Sequence, residues 1–207
     1  ACAPFRRLHV CDRNLEQIQS HTITATDNLL VDVCMAAQFE GVSISGRYRQ
    51  YVAKYHDFGS TICTALARSF ADIGDIVRGK DLFVGYDEKE KKRRKQLEEN
   101  LKKIFGNIYN ELTSSGRSGK NGQTLKTRYK DDGGNYFKLR EDWWDANRAT
   151  VWYAITCGAG ESAQYFRNTC SNGISETNNN CRCVNRGDVP TYFDYVPQYL
   201  RWFEEWA

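Results

Sequence analysis

Eight cysteines constrain the fold of this 207-residue chain more than any other feature of its sequence. An even number of cysteines is typical of a disulfide framework formed in an oxidising compartment. The alternative is a set of buried or metal-bound thiols in an intracellular protein. No Cys-X-X-Cys pair and no zinc-finger histidine spacing occurs, so the pattern favours disulfides and no metal site. The cysteines lie at positions 2, 11, 34, 63, 157, 170, 181 and 183.

Apolar residues recur at helical spacing along much of the chain, and patterns typical of strands are rare. They predict a helix that begins at Thr26 and stops at Gly41, and a short helix over 47–55. A stronger stripe predicts a helix that ends at Gly79. That stripe consists of Ile62, Cys63, Leu66, Phe70, Ile73 and Val77. We therefore expect a mostly α protein.

Three further helices follow from the same reasoning. One begins with a capping box at Asp87 and continues to Leu112. Another carries Trp144 and Trp152 on one face, where we expect both to fill the core. Trp143 and Arg148 point elsewhere and are expected to be partly exposed. The last helix begins near Pro197, because proline suits the first turn of a helix.

Long loops separate these helices. The segment TSSGRSGKNGQT combines three glycines with small polar residues, so we expect disorder over 114–122. From the end of this loop to Asn135 the apolar residues follow neither a helical nor a strand period. A second loop is predicted in SNGISETNNNCRCVNRGD, which ends at Asp188.

Known catalytic motifs are absent. The three histidines stand outside any HExxH pattern, and the chain has no GxSxG, P-loop or dinucleotide fingerprint. The pairs Glu141–Asp142 and Glu204–Glu205 are adjacent residues, which point in different directions on a helix and fit solvated charges. The sequence therefore indicates no enzyme and no cofactor. We also expect no membrane-spanning apolar run and no signal peptide, and hence part of a larger protein.

A basic run on the helix that follows Asp87 is the main candidate binding site. The net charge of the whole chain is only +3, so any attraction to an anion has to come from such a local cluster. The functional interpretation is a site for a polyanion such as a sulfated glycan. The alternatives are a solvated helix face with i,i+4 ion pairs and a nucleic-acid-binding surface. The candidate residues are Lys91, Lys92, Arg93, Arg94, Lys95, Lys102 and Lys103.

We predict a disulfide between Cys63 and Cys157. Cys63 lies at the start of one helix with an aromatic face, and Cys157 lies at the end of another. If these helices are antiparallel, start and end meet within the ~5.5 Å Cα separation of a disulfide. The segment 113–135 spans about 70 Å when extended, which is more than the length of either helix. It can therefore carry the chain back so that the second helix runs antiparallel to the first.

Four ordered blocks resemble the Duffy-binding-like domain of malaria-parasite adhesion proteins, in its α class from the variant erythrocyte membrane protein family. The blocks are CAPFRRLHVC, LARSFADIGDI, REDWWDANRATVWYAITC and DVPTYFDYVPQYLRWFEEWA. The resemblance covers essentially the whole chain. It implies a disulfide-stapled helical bundle with long loops and three subdomains. We place these at 1–58, 59–180 and 181–207, with the third truncated.

The resemblance also implies a function. It implies a host-cell adhesion module without enzymatic activity, part of a larger membrane adhesin displayed on the infected red-cell surface. The implied partners are heparan sulfate, blood-group sugars, complement receptor and host antibodies, with no nucleic acid expected. In related domains Cys2 and Cys11 pair with upstream cysteines, so the family's pairing cannot be copied here. A receptor site on the third subdomain is absent from the sequence.

Overall fold

The structure is a computed structural model that describes residues 2–23, 26–55, 61–114, 121–129 and 133–206. These residues are mostly helical, and within them the only β-pairing is one isolated bridge between Cys170 and Ser175. The helices are α1 (Phe5–Leu8), α2 (Arg13–Glu16), α3 (Thr26–Tyr55), α4 (Ile62–Arg78), α5 (Glu88–Ser114), α6 (Asn121–Arg128), α7 (Phe137–Ile155) and α8 (Gln198–Trp206). Short 3₁₀ helices lie at Thr156–Gly158, Asn179–Cys181 and Phe193–Tyr195.

Helix α4 is the centre of the fold. Its start is capped by Thr61, whose hydroxyl accepts the Thr64 N–H at 3.3 Å. It ends where Gly79 adopts a left-handed φ of 72°, a conformation that favours glycine. Most of its residues are buried, including polar ones, because α1, α3, α7 and α8 pack around it.

Helices α4 and α7 are antiparallel, as the sequence predicts. Arg140 in the first turn of α7 donates from Nε to the Val77 carbonyl in the last turn of α4, at 2.7 Å. Further along, the Phe70 ring lies 5.1 Å from the Trp144 ring and 5.2 Å from the Trp152 ring. Both tryptophans are buried in the core, which confirms the prediction made from their helical spacing.

Helix α3 does not stop at Gly41, in contrast to the prediction, and α3 and the predicted short helix are one continuous helix. A Cβ atom at position 41 would lie 1.9 Å from the Ile155 carbonyl oxygen. Glycine here therefore permits close packing of α3 on the end of α7, instead of ending a helix.

Part of α3, Thr26–Gln50, is long and apolar enough to span a membrane by length and composition. The expectation that no such stretch exists was wrong on that criterion. Its Leu29, Val33, Ala36 and Ala37 are fully buried, and it packs against α2, α4 and α7. We interpret α3 as a core helix of the fold. Its outer row, Val31, Met35, Phe39 and Val42, is exposed.

Helix α5 covers the outer side of α7. Trp143 is buried against Phe105 with ring centroids 6.0 Å apart, so the expected exposure of Trp143 was wrong. The sequence did not show that α5 packs on this face. Residues 115–120 of the predicted disordered loop lie outside the described residues. At its edges Ser114 ends α5, and Asn121 begins α6, a helix that the sequence analysis missed.

The disulfides differ from the predicted pairing. Cys63 bonds to Cys181, with Cα atoms 5.5 Å apart, and Cys170 bonds to Cys183. Cys157 carries a free, exposed thiol. Trp152 donates from Nε1 to the Cys181 carbonyl at 3.1 Å, which holds the returning loop beside the end of α7. This loop brings Cys181 to Cys63, so the antiparallel arrangement was right and the partner was wrong.

The predicted subdomain boundaries near 58 and 180 remain a proposal. The buried apolar residues of the described chain form one cluster that extends from Val10 to Val189.

Candidate receptor-binding face of helix α5

The basic run lies in the first turns of α5, where Asp87 caps the helix. Its carboxylate accepts the Glu90 N–H at 2.7 Å, which is one half of the predicted capping box, while the Glu90 carboxylate accepts from Arg93 and Arg94. The structure divides the run into cations that are bound by carboxylates and cations that face solvent.

Arg94 is the most engaged cation of the run. Its guanidinium forms ion pairs with Asp12, with Glu16 at 3.2 Å and with Glu90 at 2.8 Å. Burial by itself lowers the pKa of Arg94, but hydrogen bonds and charges from Asp12 and Glu90 outweigh it and raise that pKa. Arg94 therefore joins α2 to α5, and it is not available to an external anion.

Arg93 and Lys91 are also paired. Arg93 bonds to Glu90 and lies 3.7 Å from Glu16, while Lys91 lies 2.7 Å from Glu88. Burial acts to raise the pKa of Glu90, but hydrogen bonds from Arg93 and Arg94 outweigh it and lower that pKa. Both arginines therefore stabilise the local structure.

Lys92, Lys95 and Lys103 are exposed and form no ion pair with any described residue. Because a helix turns by about 100° per residue, these three lysines share its solvent face. The rise of about 1.5 Å per residue places Lys92 about 17 Å from Lys103 along the helix axis. We call this set the lysine face. Lys102 is less free, since it lies 4.0 Å from Glu98.

Lys89 also faces solvent without an ion pair in the described part of the chain, and the sequence analysis missed it. Helical spacing in the sequence could have distinguished the cations that are paired with carboxylates from those that face solvent. Arg94 lies three residues before Leu97 and seven before Leu101, on the buried side, whereas Lys92 lies opposite. Glu99 is exposed on the same side of the helix and forms no ion pair with any described residue. The three lysines outnumber it, so the face stays positive.

The neighbouring cleft between α2 and α5 is a poorer anion site. This cavity of about 520 Å³ is lined by Arg13 and Arg93, but also by Asp12, Glu16 and Glu90. The acids offset the arginines, so the lysine face is the stronger candidate.

The carboxylate pairs are bound to cations. Glu141 pairs with Arg78 and Lys80, and Asp142 pairs with Arg128 and Lys138. Within the described ranges, no group of three His, Cys, Asp or Glu side chains is placed to hold a metal ion.

The described residues form a helical, disulfide-stapled domain with an exposed basic helix surface. The model of the Duffy binding domain matches residues 1–201, and the chain belongs to this family. No curated protein matches it.

Solved structures narrow the comparison. The chain is 40% identical, with a TM-score of 0.76, to the NTS-DBL1(α-1) domain of Plasmodium falciparum membrane protein 1 (PfEMP1) from the varO strain. It is 41% identical, with a TM-score of 0.79, to a PfEMP1 double domain of NTS-DBL1α and CIDRγ from that strain. A PfEMP1 DBLβ domain solved bound to ICAM-1 is 32% identical, with a TM-score of 0.68.

This chain is covered completely in all three comparisons, yet it spans 43%, 27% and 44% of those solved chains. It thus corresponds to less than half of each.

Proposed function

We propose that this chain is part of a host-cell adhesion domain, and that its lysine face binds sulfated glycan such as heparan sulfate. The observation that carries the proposal is the division of the basic run. Its arginines are held by carboxylates, while Lys92, Lys95 and Lys103 remain free on one face. Free ammonium groups attract sulfate oxygens as they attract phosphate oxygens.

Family membership supports a binding role instead of catalysis. The related DBLβ domain solved bound to ICAM-1 supports a host cell-surface receptor as the class of partner. We propose display on the infected red-cell surface within a larger membrane adhesin, where host antibodies would meet it. Blood-group sugars and complement receptor remain further proposed partners.

Nucleic-acid binding by the same lysines is the alternative. Two disulfides in the described chain disfavour it, since nuclear and cytosolic proteins rarely keep such bonds.

Heparin chromatography tests the proposal. The triple variant Lys92→Ala, Lys95→Ala and Lys103→Ala should elute at lower salt than the wild type, because fewer counterions are released on binding. Arg93 is left unchanged, because its removal would disturb Glu90. The helical circular dichroism signal should stay the same.

A matched control removes three free basic residues elsewhere. Arg47, Lys126 and Arg167 are exposed, form no ion pair with a described residue and lie outside the lysine face. Changing all three to alanine lowers the net charge equally. If both triple variants shift retention by the same amount, net charge alone explains binding and the proposed site is wrong.

A further inference from the structure

A short exposed turn near the second disulfide carries the tripeptide Arg186-Gly187-Asp188. Residues 184–187 are exposed and Asp188 is half-buried, so a partner can reach the turn. Neither the lysine face nor the family comparison assigns a role to it.

The turn is anchored at both ends. On its N-terminal side Cys181 bonds to Cys63 and Cys183 bonds to Cys170. On its C-terminal side the chain enters the protein at Val189, which is buried. The tripeptide is therefore displayed on a fixed base, and less conformational entropy is lost when a partner binds.

Hydrogen bonds define the conformation of the turn. The Asp188 N–H donates to the Asn185 carbonyl at 3.0 Å, which closes a β-turn with Arg186 and Gly187 at its centre. The Asn185 side chain accepts the Gly187 N–H at 3.1 Å and donates to Asp188 Oδ1 at 3.2 Å.

The two charged groups remain available. Arg186 forms no ion pair with a described residue, and its Cζ lies 5.4 Å from the Tyr153 ring centroid. Asp188 forms no ion pair in the described chain either, and its Oδ2 has no hydrogen-bond partner there. A guanidinium and a carboxylate oxygen are thus presented two residues apart.

We propose that residues 186–188 bind a receptor of the integrin type, which recognises Arg-Gly-Asp sequences. A receptor-bound divalent cation would take the Asp188 carboxylate, because hard cations prefer oxygen ligands. An acidic cleft would take the Arg186 guanidinium. Gly187 has no side chain, so the receptor can approach the backbone closely. This site is separate from the lysine face.

Two conservative variants test the site. Asp188→Asn keeps the size of the side chain and an oxygen that accepts from Asn185, but it removes the charge. Gly187→Ala adds a Cβ whose nearest neighbour is Asn185 Oδ1 at 3.6 Å, an ordinary van der Waals contact. Both variants should fold, which circular dichroism and disulfide mapping can check.

The measurement is surface binding of the full chain to a purified Arg-Gly-Asp-binding integrin ectodomain in Mg²⁺ or Mn²⁺. We expect wild-type binding that EDTA and a Gly-Arg-Gly-Asp-Ser peptide abolish. Asp188→Asn should bind at least about tenfold more weakly, because a charged contact with the receptor is lost. Gly187→Ala should also bind more weakly, because its Cβ hinders the close approach of the receptor to the backbone.

The lysine-face triple variant serves as the control and should bind the integrin as the wild type does. Failure of the glycan proposal would leave this result unchanged. Absence of wild-type binding, or binding that survives EDTA or Asp188→Asn, would overturn the inference.

Discussion

Arg201 and Asp72 form an ion pair of 2.8 Å although they lie 129 residues apart in the sequence. Both side chains are almost fully buried, at 1% and 0% exposure. Asp72 also pairs with Arg6 at 2.7 Å, and Arg201 also pairs with Asp75 at 2.5 Å. The pair connects α8 to α4 through a charged layer in the protein interior.

We predict that Arg201→Met or Asp72→Asn destabilises the protein by about 3–5 kcal/mol, because each leaves an uncompensated buried group. Urea unfolding followed by circular dichroism measures the change. Glu204→Gln is the matched control on α8. Glu204 is 65% exposed and lies 3.8 Å from Arg68, so the expected loss is below about 1 kcal/mol. Equal losses in the buried and exposed variants would contradict the role of the buried pair.

The pair also sets a pH dependence. Burial acts to raise the pKa of Asp72, but the charges of Arg6 and Arg201 outweigh it and lower that pKa. A carboxyl with a lowered folded-state pKa contributes stability that is present above its unfolded pKa and is lost as pH falls through the folded one. Asp75 in the same layer also titrates, because burial together with the Asp72 charge raises its pKa to about 6. The prediction therefore concerns the range below about pH 4, where the stability gap between wild type and Asp72→Asn should narrow as the pH falls. A gap that widens in that range would refute this assignment.

Two glycines of α3 should respond to alanine in opposite directions. At Gly41 a Cβ would lie 1.9 Å from the Ile155 carbonyl oxygen, whereas at Gly46 it would meet no atom within 4 Å. We expect Gly41→Ala to destabilise by about 1–3 kcal/mol or more through overpacking. Gly46→Ala should stabilise by about 0.5–1 kcal/mol through helix propensity. Thermal melts measure both, and a neutral Gly41→Ala would mean that α3 and α7 are not in close contact.

The two disulfides should differ in their contribution to stability. Cys63–Cys181 links residues 118 apart and Cys170–Cys183 links residues 13 apart. By the chain-entropy model, removing the first pair by alanine substitution should cost about 5 kcal/mol and removing the second about 3 kcal/mol.

Peptide mapping without reduction checks the connectivity. Iodoacetamide should alkylate Cys157 in the native protein, because its thiol is free and exposed. A peptide that joins Cys157 to Cys63 would restore the sequence-based pairing and contradict the structure.

Local patterns were sufficient for the helices whose ends and faces are set by nearby residues. Helix α4 begins after Thr61 and ends before Gly79, as predicted, because capping depends on a few adjacent residues. The apolar faces of α4, α5 and α7 follow from helical spacing, and so does the burial of Trp144 and Trp152. Four blocks of sequence were enough to indicate the Duffy binding domain family.

Residues that are distant in sequence decided the rest. From the sequence, Gly41 was predicted to end a helix. The structure shows that it instead allows α3 to approach the Ile155 carbonyl closely. Cys63 bonds to Cys181 because the loop beyond α7 returns beside Trp152. Arg94 lies only two residues from Lys92, yet Asp12 and Glu16 from another helix bind it. Helix periodicity acts over a few residues, whereas disulfides, close helix contacts and buried ion pairs depend on which segments the completed fold brings together.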